Sequence, residues 1–235
     1  MNKIISSAIA VSAILIGSVA ISSFLIAPVE AKDECSGHPN CGARKIQTKE
    51  TYYGIQATLT LPQQVIVAND GSYIAFYLGF DDTCEGGISY GSSKPGEKPG
   101  LGWRKFLNCG LNDRISKPLD NQSHGKINLK LVKNKDGFAS LYINGVLAYT
   151  AKKTRLGKNP TVKAVHSTYN PASPSTLNSY ANASFTNIKV KISPDESGSY
   201  KLLPSQPISK KPWPNFKGYT ESKDTNNVLE TSLRR

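Results

Sequence analysis

The sequence predicts an all-β fold, built as a two-sheet antiparallel sandwich or jelly roll. About nine short runs between residues 45 and 193 either alternate apolar and polar side chains or are apolar throughout. Clusters of Gly, Pro, Asn and Asp separate these runs, as turns require. No run after residue 31 shows the period of an amphipathic helix. Many short strands joined by turns are typical of a sandwich.

The first predicted strand lies in residues 51–62, where apolar residues alternate with Gln and Thr before Pro62. Residues 72–81 form the second. This strand is apolar on both faces, so it is either covered on both sides or lines a cleft with its aromatic face. Residues 88–90 and 103–109 are expected to be two further strands, separated by a Gly/Pro-rich loop.

A three-stranded meander is predicted over Leu129–Thr150. Its last two strands are joined by Asn144-Gly145, a pair that suits a type I′ turn. Residues 161–169 and 185–192 are the remaining predicted strands. Because a three-stranded meander cannot bury its apolar face alone, a second sheet is expected to cover it.

Four segments are predicted along the chain. Residues 1–31 read as a secretory signal peptide, since an apolar run precedes a small-residue site ending at Ala31. The alternative is an uncleaved membrane anchor. Residues 32–50 would form a cysteine-stapled leader and residues 51–193 the sandwich. Residues 194–235, rich in Pro and Lys, are expected to be extended or disordered.

The four cysteines all lie in the exported part of the chain and predict two disulfides. We favour Cys35–Cys41, which closes a short loop, and Cys84–Cys109, which brackets a long Gly-rich one. A zinc site formed by Cys35, Cys41 and His38 is the alternative.

The net charge of +12 favours polyanionic partners over neutral ones. For an extracellular protein these partners would be cell-wall polymers or acidic polysaccharides, whereas nothing indicates specific nucleic-acid binding. No membrane contact is expected once the signal peptide is removed. The alternative is that the charge serves only solubility, because the lysines are scattered.

A row of aromatic and planar polar residues suggests a glycan platform. Tyr73 and Tyr77 lie four apart in one strand and therefore share a face, with Asp81 continuing the row. Trp103 and Arg104 lie on a neighbouring strand. Sugar rings stack on aromatic faces, and their hydroxyls bond to planar polar groups. Alternatively, these aromatic side chains fill the interior of the sandwich.

Carboxylates and histidines offer weaker candidates. Asp81, Asp82 and Glu85 lie close together at a strand end, where their oxygens would hold calcium or simply form a solvated loop. No other cofactor is predicted. His166 is a candidate acid/base, although a histidine in a strand is more often a packed residue. Paired carboxylates of the glycosidase type and the common hydrolase motifs are absent from the sequence.

Several segments together resemble the concanavalin A-like lectin/glucanase fold: residues 54–62, 73–80, 87–90, 140–146 and 185–190. The whole chain also resembles YrpD-type secreted proteins of Gram-positive bacteria, which implies export but no activity. The first half resembles the glutamic endopeptidases (eqolisins). That resemblance would place Glu85 near their catalytic Gln, but the strand expected to supply their Glu, residues 161–166, has no carboxylate.

The sequence therefore predicts a secreted, non-catalytic binding module for an extracellular glycan or an anionic cell-envelope polymer. The alternative is an enzyme that cleaves polysaccharide or peptide, using Glu85 and His166. A purely structural matrix protein is the third hypothesis.

Overall fold

The computed structural model confirms the all-β prediction. It describes residues 41–91, 101–120, 125–171, 173, 176–195, 197–204, 219–225 and 227–233. Every regular element in these ranges is a β-strand, and the described part of the chain contains no helix long and apolar enough to cross a membrane. The predicted signal peptide, residues 1–31, lies outside the described residues.

Six strands form one antiparallel sheet, called sheet 1, in the order β1-β11-β4-β5-β6-β7. Sheet 1 comprises β1 Cys41–Gln47, β4 Tyr73–Phe80, β5 Cys84–Gly91, β6 Gly102–Asn108, β7 Arg114–Pro118 and β11 Val162–Tyr169.

The other nine described strands form sheet 2. Its main order is β10-β9-β8-β2-β12-β15-β14, and two short strands, β3 and β13, also pair with β12. Sheet 2 comprises β2 Gly54–Thr60, β3 Val65–Ile66, β8 Lys126–Lys133, β9 Phe138–Ile143, β10 Val146–Arg155, β12 Ser179–Lys191, β13 Tyr200–Leu202, β14 Tyr219–Thr225 and β15 Val228–Leu233.

The predicted meander is β8, β9 and β10, paired in that order in sheet 2. Asn144 and Gly145 connect the last two strands with φ angles of 51° and 82°. Both angles are positive, as the type I′ turn requires.

The core lies between the two sheets, which confirms the two-sheet sandwich. From sheet 1, β4 turns Ile74, Phe76, Leu78 and Phe80 inward, and each is fully buried. Phe76 packs edge-to-face on Tyr180 of β12, with ring centroids 5.3 Å apart. Each sheet therefore buries the apolar face of the other.

The predicted disulfide between Cys84 and Cys109 is confirmed, and both half-cystines are buried in the core. It joins the start of β5 to the residue that follows β6. Cys41 is also disulfide-bonded. Its predicted partner Cys35, like His38 of the alternative zinc site, lies outside the described residues.

Both predicted domain boundaries need correction. The segment called a leader contributes β1, an edge strand of sheet 1 that pairs with β11 along its whole length. The segment called a tail contributes β13, β14 and β15, and β15 pairs with β12 in sheet 2. Leu229, Thr231 and Leu233 of β15 are each about 1% exposed. Strand β15 is therefore part of the core, whereas residues 210–216, the expected anchor, lie outside the described residues.

Replacing Leu229 with Ala is expected to lower the free energy of unfolding by about 2–5 kcal/mol, because it leaves a cavity between the sheets. Leu202→Ala in β13 is the control, since Leu202 is 53% exposed; its cost should stay within about 0.5 kcal/mol. Urea unfolding of both variants measures the difference. Equal midpoints would contradict the placement of β15 in the core.

Candidate functional site

A groove with a volume of about 640 Å³ lies on the outer face of sheet 1, away from the core. Its walls and floor combine aromatic rings, small side chains and a group of polar residues. The lining residues are Cys41, Tyr73, Ala75, Tyr77, Glu85, Ser89, Phe106, Leu107, Asn108, Arg114, Ile115, Ser116 and Ser167.

Strand β4 places two of the predicted platform residues in this groove. Its inward residues alternate with Tyr73, Ala75 and Tyr77, which therefore point to the outer face. Tyr73 is 39% exposed, whereas Tyr77 is only 3% exposed and belongs to a buried apolar cluster with Ala43, Ala75 and Val165. The prediction that the two tyrosines share a face is thus correct, and that face is not the one packed between the sheets.

Glycine at position 87 allows Tyr77 to lie across the sheet. Gly87 pairs with Tyr77 on one side and with Phe106 of β6 on the other. A Cβ at Gly87 would lie 2.6 Å from the Tyr77 Cα and would also clash with the Phe76 carbonyl. With no side chain between them, the Tyr77 and Phe106 rings meet edge-to-face at 6.1 Å.

A row of small residues runs across the strands beside this aromatic pair. The strand registers align Ala43, Ser167, Ala75 and Ser89 in one cross-strand row. Two positions further along the strands, Tyr73 pairs with Tyr169, and their rings stack at 5.4 Å. Because Ala and Ser side chains are small, the floor of the groove is low along Ser167, Ala75 and Ser89, between the Tyr73–Tyr169 pair and the Tyr77–Phe106 pair.

A hydrogen-bonded polar relay lies at the other end of the groove. Glu85 pairs with Asn108, and Asn108 with Arg114, on three successive strands. Arg114 Nε donates to Asn108 Oδ1 at 2.9 Å, and Asn108 Nδ2 donates to Glu85 Oε1 at 3.0 Å. Since arginine can only donate, the amide oxygen of Asn108 must face it, and the NH₂ group then faces the carboxylate. The relay fixes the orientation of all three side chains.

Arg104 is not itself a lining residue of the groove, but it lies on the same face of β6 as Phe106 and next to the lining residues Ser89 and Ser116. Its Nε donates to Ser116 Oγ at 2.8 Å and its Nη2 to the Ser116 carbonyl at 3.2 Å. These two bonds to β7 hold the guanidinium in one orientation beside the low floor at Ser89, its neighbour on β5.

The environment of Tyr73 keeps its hydroxyl protonated. Desolvation raises the pKa of Tyr73 to about 12, and the negative charge of Glu85 contributes in the same direction. At neutral pH the phenol is therefore a hydrogen-bond donor as well as the edge of a stacking surface.

Two platform residues do not belong to the groove. Trp103 is 6% exposed and packs in the core against Phe76, with ring centroids 6.4 Å apart. Asp81 accepts hydrogen bonds from the Thr161 backbone N–H at 2.7 Å and from its hydroxyl at 2.6 Å, which ties the end of β4 to the start of β11. The predicted five-residue platform is therefore wrong at these two positions.

The three carboxylates proposed for calcium do not converge. Asp82 forms an ion pair with the buried Lys163 at 2.8 Å, while Glu85 bonds to Asn108 and Asp81 to Thr161. The stem of Lys163 reaches Asp82 by crossing Gly79, where an added Cβ would lie 2.7 Å from its Cε. Within the described ranges, no group of three or more metal-ligating side chains occurs.

His166, the other candidate acid/base, lies between the sheets and not in the groove. It is fully buried, and its Nδ1 lies 2.7 Å from the Thr231 hydroxyl, which is also 2.7 Å from the Tyr180 hydroxyl. The histidine ring packs against Phe76 and Phe185. A catalytic role for His166 is therefore ruled out by its position, and its polar contacts join sheet 1 to sheet 2.

Comparisons with known proteins bear on the fold alone. A search against protein-family models and a search of curated proteins each found no match. The resemblance to YrpD-type proteins therefore has no support from them. The solved structures similar to this chain include SCP-B, a member of the eqolisin family of peptidases in complex with a tripeptide. It shares 12% identity and a TM-score of 0.48, over 83% of this chain and 98% of that one.

Two further solved structures are a family 16 endo-glucanase from Bacteroides ovatus and the galectin LEC-6 from Caenorhabditis elegans. The glucanase shares 14% identity over 55% of this chain and 66% of its own, with a TM-score of 0.35. The galectin shares 14% identity over 55% of this chain and 94% of its own, with a TM-score of 0.29. Likenesses this distant carry no conclusion about activity or ligand.

The sequence alone did not reveal Asn108, Arg114 or Phe106 as groove residues. Phe106 and Asn108 lie two and four positions after Arg104, so the same strand period that placed Tyr73 with Tyr77 would have placed them with Arg104. Arg114 gave no such signal, because β7 is a fully exposed edge strand without apolar alternation.

The buried His166 predicts a pH-dependent stability. Desolvation lowers its pKa to about 3, whereas the unfolded chain has the ordinary value near 6.5. Between these values the unfolded state binds a proton that the folded state does not, so stability is complete above pH 6.5 and falls as the pH falls. The expected slope is roughly 1.4 kcal/mol per pH unit.

Urea unfolding of the wild type and of His166→Asn at pH 4.5 to 7 measures this slope. The variant should be less stable at pH 7 but should lose that part of the pH dependence. An identical slope in both proteins would show that His166 is not the group responsible.

Proposed function

We propose that this protein is an exported, non-catalytic glycan-binding module whose ligand lies in the groove of sheet 1. The observation that carries the proposal is the low row of Ala and Ser between two rows of aromatic rings, with Tyr73 exposed on one side. Aromatic faces stack on sugar rings, and fixed polar groups bond to sugar hydroxyls. The groove supplies both, since the relay of Glu85, Asn108 and Arg114 stands at its end.

The small number of carboxylates among the described lining residues of the groove favours binding over glycoside hydrolysis. Most glycosidases need two carboxyl groups on either side of the bond that is cleaved. Among the described lining residues Glu85 alone carries a carboxylate. Its Oε1 already accepts a bond from Asn108, which suits a fixed acceptor for ligand hydroxyls.

The partner we propose is an extracellular or cell-wall polysaccharide. A buried disulfide in a small domain is typical of proteins that fold in an oxidising environment, and the Cys84–Cys109 bond is of this kind. The apolar N-terminal run of the sequence supports the same location.

Replacing Tyr73 with Ala should weaken binding to purified Gram-positive cell wall by about tenfold, which corresponds to roughly 1.4 kcal/mol. Tyr142→Ala is the matched control. Tyr142 lies in β9 of sheet 2, where Lys130 stacks on its ring at 4.0 Å, and its loss should leave binding unchanged. Sedimentation with the insoluble wall measures both affinities. Retention no better than that of a basic control protein of similar size would refute the proposal.

A hydrolase is the second candidate, because the relay holds Glu85 in one orientation at the end of the groove. A carboxylate beside an oriented amide is able to activate a water molecule for attack on a glycosidic or peptide bond. His166 takes no part in this version of the hypothesis, since it is sealed in the core.

Glu85→Gln distinguishes the two candidates. General acid–base catalysis contributes roughly 10²–10⁴-fold, so a hydrolase would lose at least that factor in the variant. If the protein only binds its ligand, the wild type and Glu85→Gln release the same background amounts of reducing ends from polygalacturonate and of peptides from casein. A wild-type rate one hundredfold above the variant would establish the enzyme and overturn the binding proposal.

A further inference from the structure

Two arginines border the groove on its β6–β7 side, and each is held by hydrogen bonds at its Nε. Arg104 bonds to Ser116, and Arg114 bonds to Asn108. Neither forms an ion pair with a carboxylate of the described residues. Both guanidinium groups are thus fixed in direction, and no carboxylate among the described residues pairs directly with either charge.

The unused donors of both arginines suit oxyanions. Arg104 uses Nε and one Nη2 hydrogen on Ser116, which leaves the edge formed by Nη1 and Nη2 for a ligand. Arg114 uses Nε on Asn108, so its four η hydrogens remain. Two parallel N–H groups match the two oxygens of a carboxylate, and a guanidinium already held in place loses less entropy on binding.

The separation of the two arginines favours a polymer. Arg104 and Asn108 are four residues apart on β6, and Arg114 pairs with Asn108 on the next strand. At about 3.3 Å per residue, the Cα atoms of the two arginines are roughly 13 Å apart along the strands. The guanidinium groups are closer, roughly 7 Å apart in that direction, because Arg104 bonds to Ser116, two residues from Arg114 on β7. Each guanidinium therefore presents its own donor edge, and oxyanions on neighbouring sugar residues of one chain are able to reach both.

We infer that the ligand of the groove is an anionic polysaccharide, and that Arg104 and Arg114 bind oxyanions on two different sugar residues of one chain. The inference rests on the proposed function and makes it more specific. The scattered lysines then contribute general attraction, while the two arginines and the aromatic rows select a chain that carries both rings and charges.

Affinity electrophoresis of the full-length protein in polygalacturonate, dextran sulfate and neutral dextran tests the inference. The double variant Arg104→Lys/Arg114→Lys keeps the net charge but removes the planar fork. Its affinity for the preferred anionic polymer should fall at least tenfold. The tighter of the two anionic polymers identifies carboxylate or sulfate as the group recognised.

Lys130→Gln/Lys189→Gln is the control. It removes two charges from the outer face of sheet 2, where Gln56 of β2 separates the two lysines. Its affinity should stay within twofold of the wild type, and thermal unfolding should show that both double variants are folded.

An equal or larger loss in the lysine control, or full affinity in the arginine variant, would overturn the inference. Binding to neutral dextran as tight as to the anionic polymers, but lost in Tyr73→Ala, would overturn it while leaving the proposed function intact. No binding to any polymer or to cell wall would remove both.

Discussion

The double role of strand β4 is the constraint on which both the core and the groove depend. One face of β4 places Phe76 and its neighbours between the sheets, and the other places Tyr73 and Tyr77 in the groove. The strand is central in sheet 1, between β11 and β5, so its register also sets the alignment of both neighbouring strands. A one-residue shift in its register would exchange core and groove residues, because successive side chains point in opposite directions.

The sheets are joined through polar as well as apolar contacts. Thr231 of β15 lies within hydrogen-bond distance of both His166 in sheet 1 and Tyr180 in sheet 2. Burying these groups would be costly without such partners. Because Thr231 comes from the last described strand, the end of the chain helps to fix sheet 1 against sheet 2. The groove on the outer face of sheet 1 therefore rests on a layer to which β15 contributes.

The sequence predicted the fold class and the meander because their apolar alternation is regular. It did not predict β15, since Thr231 occupies a buried position and interrupts the apolar pattern between Leu229 and Leu233. It did not predict β1 either, because Arg44 and Lys45 occupy the middle of that edge strand. Alternation identifies strands whose buried residues are all apolar, and these two strands bury polar groups or lie at an edge.

Side-chain direction explains the partial success at the site. Trp103 and Arg104 are adjacent in β6, so they cannot both lie on one face of the sheet. The register with β5 and β7 puts Arg104 in contact with Ser116 and leaves Trp103 in the core. The polar relay depends on pairing between three strands, which a single sequence does not reveal. The hydrogen bonds from Thr161 to Asp81 join residues 80 positions apart and are equally invisible in the sequence, so Asp81 was assigned a binding role.

The direction of the low row limits the shape of the proposed ligand. The part of the row that lines the groove crosses β11, β4 and β5, and adjacent strands lie about 4.8 Å apart, so a chain lying in it passes over one strand after another. At its β6 end it reaches Arg104, and a chain that continued along the β6–β7 rim would approach Arg114. A globular ligand would instead meet the Tyr73 ring, which is exposed beside the row. An unbranched chain, charged at intervals, therefore satisfies the small floor, the ring walls and the oriented arginines together.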